Sequence, residues 1–209
     1  MRTFMKWAVV LVVPAVFGAT ARPAEEGSVP EGTTVKLLLL RQKSVQKELA
    51  LTPETIKKIA DFTQAQSEAA HKTADLGEAA RKEVFARLLI QNDRFLAETL
   101  NAKQSKRLEQ IELQFTALTH LTKPEMAKEL KLTDDQVRKF KDMQTEARKA
   151  LADLIDAKDR TGKTEKFAKL REEARTRILA ILTDEQKTKM KEIAGPPFEG
   201  EIVFEEADQ

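Results

Sequence analysis

The sequence predicts an all-α fold, an extended helical bundle or set of hairpins made of two tandem helical units. Between Thr34 and Ala194, only two glycines and two prolines interrupt a stretch rich in the helix-forming residues Ala, Leu, Lys, Glu, Gln and Arg. Apolar residues in that stretch recur every three or four positions, which is the period of one helix face. One helix-start motif occurs four times. These three observations leave no segment that favours a strand.

The first 21 residues have the pattern of an export signal. Arg2 and Lys6 precede an apolar run that ends in the small residues Ala19-Thr20-Ala21. About a dozen apolar residues are too few to cross a bilayer, which takes about 20. We therefore expect cleavage after Ala21, a periplasmic or secreted protein, and no stable membrane insertion.

Two segments flank the helical stretch. Residues 22–34 contain prolines and glycines among acidic residues and are predicted to be a flexible lead-in. Residues 195–209 open with Gly195-Pro196-Pro197 and carry five acidic residues without one basic residue. We expect this acidic tail to be solvated. The alternative is that it folds back over a mildly basic body.

Composition excludes several classes of function. Without the two leader charges, the 36 basic residues fall to 34 and equal the 34 acidic residues, so dedicated nucleic-acid binding is not expected. The absence of Cys excludes disulfides, thiolate metal sites and cysteine nucleophiles. Two histidines, no glycine-rich phosphate loop and evenly spread carboxylates give no catalytic grouping. We expect neither an enzyme nor a bound cofactor.

Apolar stripes support the individual helices. One stripe follows Ile56, Ile59, Phe62, Ala65 and Ala69, and a second follows Val137, Phe140, Met143, Ala147, Leu151 and Leu154. Leu37-Leu38-Leu39-Leu40 covers a whole helical turn with apolar side chains. We expect this turn to be buried between helices, with association with a partner as the alternative.

Four segments approximate the motif Leu-Thr-x-x-Gln. They begin with Leu51-Thr52, Leu100-Asn101, Leu132-Thr133 and Leu182-Thr183, and the last three reach Gln104, Gln136 and Gln186. In such a motif the Thr or Asn side chain caps free N–H groups at a helix start, and the Gln reaches back to form a capping box. Each motif therefore predicts the first turn of a helix.

The spacing of the motifs predicts an internal duplication. Leu51 and Leu100 are 49 residues apart, Leu132 and Leu182 are 50 apart, and corresponding motifs lie 81 and 82 residues apart. Residues 35–121 then form a first unit and residues 122–194 a second. Each unit is expected to contain a capped helix, a turn near Gly77 or Gly162, a helix and another capped helix.

Paired Leu-Thr-x-x-Gln motifs about fifty residues apart, in an exported, Cys-free helical chain, resemble the Spy/CpxP family of periplasmic proteins. The resemblance covers roughly residues 37–193, with two copies where a typical member has one. Thr55 and Asn101 depart from the pattern. The resemblance implies long helices in a thin curved dimer and either ATP-independent chaperone activity or inhibition of an envelope-stress sensor kinase. Related branches bind zinc, nickel or cobalt.

The resemblance implies partners that are unfolded or partly folded polypeptides, or an envelope sensor domain. Candidate binding residues are the basic side chains late in the chain: Lys163, Lys166, Lys169, Arg171, Arg175 and Arg177. They would attract acidic clients. The alternative is a solvated helix with local ion pairs. A homodimer stays open, although a tandem copy would build the paired surface within one chain.

One histidine invites comparison with a metal site. Glu68, His71 and Asp75 would share one face if a single helix ran through all three. One His with two carboxylates falls short of the usual zinc ligand set, so we favour surface charge and assign no metal. His120, near the predicted join of the units, is interpreted as a linker or packing residue.

Overall fold

The structure is a computed structural model that describes residues 32–156 and 163–202. Nine helices and no strand occur in these ranges, so the predicted all-α class is confirmed. By packing, the described chain divides into a first unit, residues 32–112 with 199–202, and a second unit, residues 113–198. This division precedes the boundary at residue 121 that the repeat predicts. The predicted signal peptide, most of the lead-in, Gly162 and the end of the tail lie outside the described residues.

The first unit contains four helices and the start of a fifth. They are α1 (Gly32–Leu40), α2 (Lys43–Glu48), α3 (Pro53–His71), α4 (Glu78–Thr99) and the beginning of α5 (Ala102–Leu121). Helix α1 begins inside the segment predicted to be a flexible lead-in. Its Leu39 and Leu40 are fully buried and Leu37 nearly so, so the leucine run belongs to the core of this unit.

The second unit contains the end of α5, then α6 (Pro124–Glu129), α7 (Asp134–Asp156), α8 (Lys163–Ile181) and α9 (Asp184–Ala194). Its core joins side chains from all of these elements: Leu113, Ala117, Leu118, Leu121, Leu130, Phe140, Met143, Ile178, Leu182, Met190 and Ala194. The stripe predicted on α7 therefore packs inward at Phe140 and Met143.

The duplication is visible in the backbone. Ala50 and Lys131, which are 81 residues apart, are the two non-glycine residues with positive φ in the described chain, at 48° and 50°. In each unit the next leucine donates its N–H to a carbonyl five residues back, at 3.0 Å and 2.8 Å. This closes a short helix with a left-handed residue before the next helix begins. Matching sequence thus gives matching turns.

The start of the acidic tail packs against the protein, so the predicted solvated tail is wrong for this part. Gln114, which is 5% exposed, donates two hydrogen bonds from Nε2 to the carbonyls of Ala194 (2.7 Å) and Pro196 (2.9 Å). Its Oε1 accepts the N–H of Phe198 at 2.8 Å. The Phe198 ring lies edge-on to Phe115, with centroids 5.9 Å apart. One buried amide therefore fixes the segment that follows α9.

Replacing Gln114 with Leu is expected to lower the free energy of unfolding by about 2–4 kcal/mol, because two carbonyls and one N–H lose their partner in a buried place. Urea unfolding monitored by helical circular dichroism measures the change. Gln110→Leu on the same helix is the matched control and should stay within about 0.5 kcal/mol. Equal effects of the two substitutions would contradict the role of Gln114.

Candidate functional site

All four motifs begin helices, as predicted. Three of them form complete capping boxes, in which the cap residue and the Gln three residues later exchange hydrogen bonds: Asn101 with Gln104 (3.1 and 3.0 Å), Thr133 with Gln136 (3.0 and 3.2 Å) and Thr183 with Gln186 (2.9 and 3.3 Å). At the start of α3, Thr52 accepts the N–H of Thr55 at 3.2 Å, and no Gln is present to reach back. The departure at Thr55 leaves this box incomplete.

In the second unit the two motifs meet through their glutamines. Nε2 of Gln136 donates to Oε1 of Gln186 at 2.8 Å, and the reverse bond measures 3.0 Å. Each Nε2 also donates to a carbonyl two residues before the partner's cap, Ile181 at 2.9 Å and Lys131 at 3.3 Å. Both side chains are only 9% exposed. This reciprocal amide pair ties the start of α7 to the start of α9.

The first unit retains half of this joint. Nε2 of Gln104 donates to the carbonyl of Leu49 at 3.1 Å, and these residues are as far apart in sequence as Gln186 and Lys131. Thr55 stands where a second Gln would complete the pair. An ion pair accompanies the joint in each unit, Arg107 with Glu48 at 2.8 Å and Lys189 with Glu129 at 3.8 Å. The repeat aligned these charges, but sequence reasoning missed that the motifs touch.

Carboxylates in the first turns of α7 and α9 are held in their charged form. A hydrogen bond from Lys139 lowers the pKa of Asp135, and one from Lys187 lowers the pKa of Asp184. The backbone N–H of Glu185 itself, followed by the Thr183 side chain, lowers the pKa of the Glu185 carboxyl. Negative charge at a helix N-terminus also favours the helix dipole.

Helices α3 and α4 form a hairpin of two layers only. Near its base the rings of Phe62 and Phe95 stack, with centroids 3.8 Å apart. Further along, Gln66 bonds to Gln91 across the seam at 3.1 Å. Gly77 precedes α4, which confirms the predicted turn there.

Large apolar side chains are exposed on this hairpin. Leu76 in the turn is 37% exposed, Phe85 is 39% exposed and Ile90 is 68% exposed. Leu179 on α8 is the other exposed large apolar residue in the described chain. Sequence reasoning did not select these residues. The thin seam places them in water, because no further layer covers α4.

The six predicted cationic residues do not form one surface. Lys163 begins α8, and its side chain lies outside the described residues. Lys166 and Lys169 are exposed, whereas Arg171 and Arg175 are half-buried on the side nearer the core. Ion pairs join Lys169 to Glu173 (3.9 Å), Arg175 to Glu172 (3.0 Å) and Arg177 to Glu146 (2.6 Å). The helix thus carries local ion pairs together with an outward basic face.

The shared helical face proposed for Glu68, His71 and Asp75 is wrong, because α3 ends at His71. Both the N–H and Oγ1 of Thr73 bond to the carbonyl of Ala70, at 3.0 and 2.6 Å, which closes the helix before Asp75. His71 Nδ1 lies 2.8 Å from the carbonyl of Ser67. In the described chain no three His, Asp or Glu side chains are grouped so that they could hold a metal ion.

Exchanging Gln136 for Thr should lower the free energy of unfolding by about 2 kcal/mol, because Gln186 then keeps a buried amide with unmet hydrogen bonds. The reverse exchange in the first unit, Thr55→Gln, is expected to add about 0.5–1 kcal/mol by completing the box and the pair. Urea unfolding of both variants measures the two changes. Opposite signs are required, and a neutral Gln136→Thr would refute the joint.

Acid should weaken the second unit. A carboxyl whose folded pKa lies below its unfolded value stabilises the fold above the unfolded pKa and loses that effect as pH falls through the folded pKa. For Asp135, Asp184 and Glu185 the loss begins below about pH 5, given unfolded values near 4. Thermal unfolding between pH 6 and pH 2.5 tests this. Asp184→Asn should show a smaller fall in melting temperature than the parent, and an unchanged fall would contradict the assignment.

Comparison with protein-family models, with curated proteins and with solved structures found no match for this chain. None of the described helices is long and apolar enough to cross a membrane. Function is therefore argued from the motifs, the hairpin surface and the charges of this chain itself.

Proposed function

We propose that this protein is exported to the periplasm and binds non-native polypeptides there on its exposed helical surfaces, as an ATP-independent chaperone-like or envelope-stress protein. The leader pattern supports export, and the resemblance of the motifs to the Spy/CpxP family supports the activity. The structural observation that carries the proposal is the two-layer α3–α4 hairpin with Leu76, Phe85 and Ile90 exposed. Exposed apolar side chains in one region are typical of interaction surfaces.

The strength of such contacts suits transient binding. Fully burying one large apolar side chain contributes about 1.5–3 kcal/mol, and these three side chains are already partly covered. Each contact with a client is then weak, and several together hold it. A client that folds withdraws its apolar residues and leaves without any input of ATP.

Charge would govern how fast clients arrive. On α4, Lys82 pairs with Glu78 at 2.6 Å, and exposed Arg87 lies between Phe85 and Ile90 in sequence. On α8, Lys166, Lys169 and Arg177 are exposed and near Leu179 in sequence. Exposed ion pairs contribute little and exchange readily for a client carboxylate. Basic side chains beside apolar ones therefore favour unfolded acidic polypeptides.

At near-equimolar ratio the mature chain should suppress aggregation of an unrelated unfolding client, more at low salt than at high salt. Replacing Phe85 and Ile90 with Ser should raise the concentration needed for half-suppression several-fold, because apolar contact is lost. Light scattering of the client measures this. Ala80→Ser with Ala86→Ser, at exposed positions of the same helix, is the matched control and should leave suppression unchanged.

A second variant separates charge from apolar contact. Gln at Lys166, Lys169 and Arg177 should slow client capture and reduce its salt dependence, while the same exchange at Lys103, Lys106 and Lys191 should have a smaller effect. Failure to suppress aggregation of any of several clients would overturn the proposal. Recovery of one specific envelope protein without any suppression would favour a regulatory partner of a sensor instead.

A further inference from the structure

A half-enclosed pocket of about 240 Å³ lies in the first unit, lined by the α1–α2 turn, α2 and α3. Ile56 and the buried Ile59 give it an apolar side, and Thr63 adds a hydroxyl. Arg41 in the turn also lines it and is exposed. No carboxylate pairs with Arg41 in the described ranges. The pocket therefore combines an apolar surface with an uncompensated positive charge.

The C-terminal segment runs close to this pocket. Glu199 to Ile202 pack with the first unit, and Ser44 Oγ donates a hydrogen bond to the carbonyl of Glu201. Ser44 lies three residues after Arg41 in sequence. An extended chain advances about 3.3 Å per residue, so the three residues that follow Glu201 span about 10 Å. That length brings Phe204 within reach of the pocket.

The chemistry of the segment matches that of the pocket. Ile202, Val203 and Phe204 are apolar, and Glu205 and Glu206 follow directly. An apolar ring beside two carboxylates is complementary to Ile56 and Ile59 beside a guanidinium. Arg is well suited to binding a carboxylate through two parallel hydrogen bonds.

The second unit provides an internal comparison. At the 81-residue offset, Thr122 replaces Arg41 and Phe140 replaces Ile59. Phe140 is fully buried in the core of its own unit. The positive charge is therefore specific to the first unit, which is also the unit that Glu199 to Ile202 join.

We propose that the C-terminal segment is the ligand of this pocket: Phe204 enters between Ile56 and Ile59, and the carboxylates of Glu205 and Glu206 bind Arg41. Residues 203–209 lie outside the described part of the chain, so the proposal rests on the pocket, the anchored Glu201 and the sequence that follows it. A docked tail closes the pocket to other peptides, and an apolar–acidic peptide competes with it. The proposal does not depend on chaperone activity.

Methyl NMR of the full-length chain labelled at isoleucine tests the docking. Phe204→Ser should shift the methyl signals of Ile56 and Ile59, while the buried Ile111 of the same unit keeps its signal. A peptide with residues 201–209, added to the Phe204→Ser chain, should restore the parent shifts saturably. The same peptide with Ser for Phe204 should bind about tenfold more weakly or worse.

Arg41→Gln should weaken the peptide about two- to five-fold and reduce its salt sensitivity, and Arg87→Gln on α4 serves as the charge-matched control. Unchanged Ile56 and Ile59 signals in Phe204→Ser, or a peptide that does not bind, would overturn the proposal. Signals that change with the concentration of the parent chain would place the tail of a second copy in the pocket and overturn docking within one chain.

Discussion

A buried amide must satisfy both its oxygen and its two N–H groups, and the rest of this structure depends on how the motif glutamines meet that requirement. Gln136 and Gln186 do so through each other, through their own cap residues and through two backbone carbonyls. Leaving such a group unpaired costs about 1–3 kcal/mol, so the pair restricts where α7 and α9 can start relative to each other. A motif that in isolation only begins a helix here also fixes tertiary structure.

That joint explains why each unit can carry a thin hairpin. Stability is concentrated where the motifs meet, and the seam between α3 and α4 is partly polar. Gln66 Oε1 and Asn92 Oδ1 are buried in the first unit without a hydrogen-bond partner in the described chain. Such a seam opens more easily than an apolar one, and regions that bind partners are commonly drawn from the less stable parts of a fold. Weak packing and exposed apolar residues on the same hairpin are consistent with a client-binding role.

Local features of the fold could be predicted from the sequence, and long-range ones could not. Helix starts were predictable because a capping box is made within four residues, and the left-handed turns at Ala50 and Lys131 follow from the 81-residue offset. The clamp of Gln114 on the tail involves residues about 80 apart, and nothing in its neighbourhood distinguishes it from other glutamines.

The candidate site was less predictable for the same reason. The end of α3 at His71 depends on Thr73, which has no glycine or proline beside it to mark a stop. Which basic residues on α8 are paired depends on the neighbouring helix as well, as the bond between Arg177 and Glu146 demonstrates. Exposure of Ile90 depends on the absence of a further layer over α4, which periodicity alone does not reveal.

The most direct measurement is a residue-resolved NMR map of the labelled mature chain with an unfolded, aggregation-prone client added. The account predicts that signals from the α3–α4 hairpin around Leu76, Phe85 and Ile90 shift or broaden, while the side-chain amides of Gln136 and Gln186 stay unchanged. Perturbation confined to the glutamine joint, or none on the hairpin at saturating client, would contradict it.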